Sequence, residues 1–177
     1  MPASNKKIGA RHYIVFACWL IGTVIAAAYF ISGRLMPFDP EQKLASKNSI
    51  GLLTQLNEID QLKNIDLNNT IIHFTSDHCS CTQFSNEHKQ EINLKANLDG
   101  FNVINVNLPD NVATLIPSTP AILIIGNEKQ LLYFGPYSIG LACTQSNGYV
   151  ETVMQNYAKG YAASLIINDA SGCYCNR

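Results

Sequence analysis

Residues 70–98 read TIIHFTSDHCSCTQFSNEHKQEINLKANL, and this run decides the fold. Its first six residues are β-branched or aromatic apart from His73, which reads as a strand over 70–75. The segment 82–98 has no Gly or Pro and carries Phe84, Ile92, Leu94 and Leu98 among polar residues, so it predicts a mostly exposed helix stopped by Asp99-Gly100. Between them lies Ser76-Asp77-His78-Cys79-Ser80-Cys81. The six residues put two thiols, an imidazole and a carboxylate in one strand-to-helix loop, with Asp77 placed to cap the helix.

Outward from this run the pattern continues. Toward the N-terminus, apolar residues at Ile50, Leu53, Leu56, Ile59 and Leu62 predict an amphipathic helix over 49–62, capped by Asn48 or Ser49. Toward the C-terminus, 101–106 alternates as a strand. The run 121–125 (AILII) suits a buried central strand after Ser118-Thr119-Pro120, and Gly126-Asn127-Glu128-Lys129 turns it into a second strand over 130–134. A Gly-rich loop over 135–147 carries Cys143, 148–163 fits a last helix, and the tail ends in Gly172-Cys173-Tyr174-Cys175. The expected fold class is α/β: one mixed β-sheet flanked by helices, with a parallel crossover first and an antiparallel hairpin later.

The chain has 177 residues, 47% of them apolar and only 14% charged, with net charge −1. Nucleic-acid binding through a basic face and a charge-rich disordered chain are both excluded. The charge is unevenly spread. Residues 1–34 carry four basic and no acidic groups, and the rest carry a net −5. Residues 13–31 (YIVFACWLIGTVIAAAYFI) are uncharged and, as a helix, would be ~28 Å long, close to a bilayer core. The positive-inside rule keeps 1–12 cytoplasmic, makes 13–31 a transmembrane signal-anchor and exports the rest of the chain. The competing reading is a signal peptide cleaved at Ala26-Ala27-Ala28. The expected organisation is a basic N-terminus over 1–12, the anchor over 13–31, a linker over 32–47 and a domain over 48–177. That places a single-pass protein in the inner membrane with its domain in the periplasm or outside, where cysteines meet oxidants.

The order of elements, with cysteines after the first strong strand and Thr119-Pro120-Ala121 before a terminal hairpin, resembles the thioredoxin-like superfamily over about residues 49–163. The resemblance implies that Cys79 matches the nucleophilic cysteine at a helix N-terminus, where free N–H groups favour a thiolate. It also implies that Pro120 is the family's cis-proline shaping the substrate groove. The sequence departs from the family's Cys-x-x-Cys: Cys81 lies one residue early and Thr82 takes the partner position. His78 stands where many members have Trp, and His73 where thioredoxins bury an acid.

Three functions compete. The first is a membrane-tethered thiol–disulfide oxidoreductase acting on exported protein thiols and disulfides, without a cofactor. Cys79 attacks, His78 tunes it, and Cys81, Cys143 or the tail pair Cys173 and Cys175 resolves. The second is a Cu(I) or Zn carrier using Cys79, Cys81, Cys173 and Cys175, with His78 as a further ligand. The third is a non-catalytic interaction module stapled by disulfides. His73 is expected as a satisfied core residue, His88 as solvated, and Cys18 as membrane packing. The sequence assigns no oligomeric state.

Overall fold

The computed structural model describes residues 9–32, 35–45, 47–109, 115–140 and 148–177. They fall into two units, 1–34 and 35–177. In the first, α1 spans Ala10–Ser32 and is long and apolar enough to cross a membrane. Its large apolar side chains, including Trp19, are exposed.

The second unit opens with β1 (Met36–Pro37), and α2 (Ser49–Leu56) comes next. The segment expected as a linker therefore belongs to the domain from residue 35 onward. Phe38 and Leu44 are buried in the core. The buried Asp39 carboxylate accepts from the backbone N–H of Lys43 at 2.8 Å and of Leu44 at 2.7 Å. Asp39→Ala leaves both donors unpaired and should cost about 1–2 kcal/mol in urea unfolding, with Asp39→Asn losing less. α2 is capped by the Asn48 side chain on Gly51 N–H at 2.8 Å. It ends at Leu56, six residues before the predicted limit, because Ile59 turns extended and starts a separate 3-10 turn at Asp60–Leu62.

The central sheet contains β2 (Thr70–Thr75), β3 (Asn102–Asn107), β5 (Ala121–Ile125), β6 (Leu131–Gly135) and β7 (Leu165–Ile166), with a short β4 at Ser118–Thr119 just ahead of β5. Its order is β3-β2-β5-β6-β7. β2 runs parallel to β3 and antiparallel to β5; β5 and β6 form the expected hairpin, and β7 joins parallel to β6. β5 is buried throughout, consistent with its unbroken apolar run. α3 occupies Thr82–Leu98, the predicted bounds. α4 spans Tyr149–Ala158, shorter than the predicted 148–163, because Gly160 takes a positive φ of 86° and terminates it.

The tail is ordered. β8 (Ser171–Gly172) pairs antiparallel with β1, and β9 (Cys175–Asn176) pairs antiparallel with β4. The fold is thus mixed α/β: a mixed sheet flanked by helices, with an N-terminal apolar helix preceding it in the chain.

Candidate functional site

The loop from β2 to α3 is a succession of tight turns. Cys79 N–H donates to Ser76 O at 3.2 Å, Thr82 N–H to Cys79 O at 3.1 Å, and Phe84 N–H to Cys81 O at 3.1 Å. These turns put Cys81 at the N-cap of α3 and Cys79 two residues ahead of it. The cap has no side-chain hydrogen bond, because the Cys81 sulfur is bonded elsewhere. Asp77, expected as the cap, instead accepts from the Asn107 amide at 2.7 Å.

Two disulfides join this loop to the tail: Cys79–Cys175 and Cys81–Cys173, with Cα separations of 5.7 and 5.6 Å. The pairing is crossed between the two Cys-x-Cys runs, so neither run closes a ring on itself. The equal spacing of the two runs permits this pairing. The β4–β9 register sets Cys175 opposite Thr119, whose carbonyl oxygen the Cys79 sulfur contacts. Cys79 and Cys81 are buried, whereas Cys173 and Cys175 are half-buried.

The Thr119–Pro120 peptide is cis, and Pro120 is buried beside the disulfides. The Cys79 sulfur lies 3.2 Å from the Thr119 carbonyl oxygen. A bonded disulfide sulfur has no proton to donate, so this is a packing contact until reduction gives a thiol. His78 is exposed next to Cys79. Cys143 lies outside the described residues. Cys18 is an unbonded, exposed cysteine in α1.

Between β2, α3 and α4 sits a buried polar network with no signature in the sequence. Tyr137 O–H donates to His73 Nδ1, and His73 Nε2–H donates to Asn93 Oδ1 at 2.7 Å. His73 is satisfied and fully buried, as expected of a core residue. Burial lowers its pKa to about 4; the Asn93 hydrogen bond opposes this and the Lys89 charge adds to it. Burial raises the Tyr137 phenol well above its ordinary value, so it stays a donor. His88 is not solvated. It is 2% exposed, its Nε2 bonds Glu151 Oε1 on α4, and its ring packs edge-on to Tyr137. Burial acts to raise the Glu151 carboxyl, but the hydrogen bonds from His88 and its own backbone, with the His88 and Lys95 charges, outweigh it and the net shift is downward.

The class these features define is an α/β domain preceded by an apolar helix, with its C-terminal tail cross-linked at the N-terminus of α3. A family model described as a domain of unknown function (DUF6436) matches residues 52–177, and the chain belongs to that family. No curated protein and no solved structure matches the chain.

Proposed function

We propose that the protein is a membrane-tethered thiol–disulfide oxidoreductase of thioredoxin-like type. Its N-terminus is cytoplasmic, its domain is exported, and its partners are exported protein thiols and disulfides. The observation that carries the reading is the Cys79–Cys175 disulfide, seated ahead of the 17-residue helix α3 and against the cis Thr119–Pro120 peptide. An external thiolate attacks the more exposed partner, Cys175. The new bond joins the external sulfur to Cys175, and the electron pair of the broken bond leaves on Cys79. The dipole of α3 favours that thiolate, which makes Cys79 a good leaving group and then a nucleophile. A second external thiol displaces Cys175, giving an oxidised donor and a reduced domain; the reverse sequence oxidises a partner. The basic residues Lys6, Lys7 and Arg11 ahead of the uncharged stretch 13–31 support the orientation.

The test is catalysed reduction of a disulfide-bonded substrate protein by the full chain in detergent. Cys79→Ser should fall to the uncatalysed rate, and a Cys79→Ser chain with wild-type rates contradicts the reading.

The second reading is the stapled, non-catalytic module. The burial of Cys79 and Cys81 and the tail's own backbone pairing favour it. It predicts disulfides that open only when the domain unfolds.

A further inference from the structure

We infer that reduction of the two disulfides converts this site into a tetrathiolate centre for one Zn²⁺ ion, with Cys79, Cys81, Cys173 and Cys175 as ligands. The inference rests on the exchange reading only in requiring that the disulfides open in the folded chain.

Three of the sulfurs, those of Cys79, Cys81 and Cys175, lie within 4.8 Å of one another, and the fourth, Cys173, is bonded to Cys81. Around a tetrahedral Zn²⁺ with Zn–S bonds of about 2.3 Å, sulfurs sit about 3.8 Å apart. Binding one ion therefore requires each bonded pair to open and Cys173, the sulfur outside that group, to draw in. Contacts other than the disulfides hold the tail beside the loop. β8 pairs with β1, and β9 with β4. Between the two cysteines, Tyr174 packs edge-on to Phe38 at 5.3 Å and donates its hydroxyl to Ser138 O at 2.6 Å. Beyond them, Arg177 N–H donates to Pro117 O at 2.9 Å. After reduction the four thiols stay assembled in a largely buried site. Burying four unpaired thiolates is costly, and a divalent cation that favours sulfur offsets half of their charge while bonding all four.

The step balances with a dithiol as reductant. Two dithiols each give two electrons and two protons to one disulfide and become disulfides themselves. The four thiols formed then lose four protons to solvent as they bind Zn²⁺. Metal and disulfide occupy the same sulfurs, so the two states exclude each other.

The experiment uses the full chain in detergent. It is reduced with a dithiol, freed of reductant without oxygen, and titrated with Co²⁺ and then Zn²⁺. The expected result is four thiols released and one ion bound per chain. Co²⁺ should give the sulfur-to-metal and visible bands of a tetrahedral tetrathiolate, and Zn²⁺ should displace it, raise Tm and slow alkylation of the four cysteines. Cys81→Ser/Cys173→Ser should lose the Co²⁺ bands. Four released thiols with no stoichiometric ion, or unchanged bands in that variant, overturn the metal site and leave the exchange reading standing. A folded chain that releases no thiol to the dithiol overturns both.

Discussion

Replacing Cys79, Cys81, Cys173 and Cys175 together by serine is expected to lower the unfolding free energy by about 7 kcal/mol, whereas replacing either bonded pair alone costs only about 2 kcal/mol. The disulfides are nested: Cys79–Cys175 spans 96 positions and Cys81–Cys173 spans 92 of the same positions. Whichever bond closes first removes the entropy of a loop of nearly a hundred residues, about 4.7 kcal/mol at 25 °C. The other then closes only the small ring made by 79–81 and 173–175, which contributes about 2 kcal/mol. Either bond can supply the long closure, so the single losses sum to much less than the joint loss. Thermal melting of the full chain should show Tm falling by roughly 6 °C for each pair variant and roughly 20 °C for the fourfold variant. Single losses that add up to the fourfold loss would mean the bonds close separate loops, contrary to the nested pairing.

The domain is expected to lose about 3 kcal/mol of stability as pH falls from 6.5 to about 4, through His73 alone. In the folded state burial depresses the His73 pKa to about 4, so the ring stays neutral through this window. In the unfolded chain it titrates near its ordinary value of 6.5. Between those values the unfolded state binds the extra proton, so acid pulls the equilibrium toward unfolding. The neutral ring is also the form its partners require, since Nδ1 accepts from Tyr137 while Nε2–H donates to Asn93. Glu151 acts in the same direction at lower pH. Its folded pKa is depressed, so its contribution is present above the ordinary carboxylate range and is lost as pH falls through the folded value. Urea unfolding from pH 7 to 4 measures the slope. His73→Gln should flatten it between 6.5 and 4 even if the variant is less stable at pH 7, and an unchanged slope would assign the acid sensitivity elsewhere.

The parts of the fold that are legible in the sequence are those set by local pattern. β2 and α3 have their predicted bounds, because a β-branched run and a long segment without Gly or Pro each specify one local conformation. β5 is legible because five consecutive apolar residues have few places to go but a sheet interior. What escapes depends on distant partners. β8 and β9 are two residues each and exist only through pairing with β1 and β4. His88 sits in a helix whose polar composition reads as a solvated surface, yet a carboxylate 63 positions away in sequence buries it. The four bonded cysteines are legible as site candidates, and Thr119–Pro120 is cis, as the resemblance implies. The crossed pairing is not legible, because it depends on the tail lying antiparallel to β4.

Exchange of the Cys79–Cys175 bond while the domain remains folded is what separates an oxidoreductase from a stapled module. The direct measurement equilibrates the detergent-solubilised full chain in glutathione buffers of stepped redox ratio, alkylates the free thiols, and maps each cysteine by mass spectrometry alongside near-UV circular dichroism. Cys79 and Cys175 are expected to become alkylated together, reversibly, with the aromatic signal of the folded domain intact. All four cysteines remaining blocked until that signal is lost would contradict exchange and leave a stapled, non-catalytic domain.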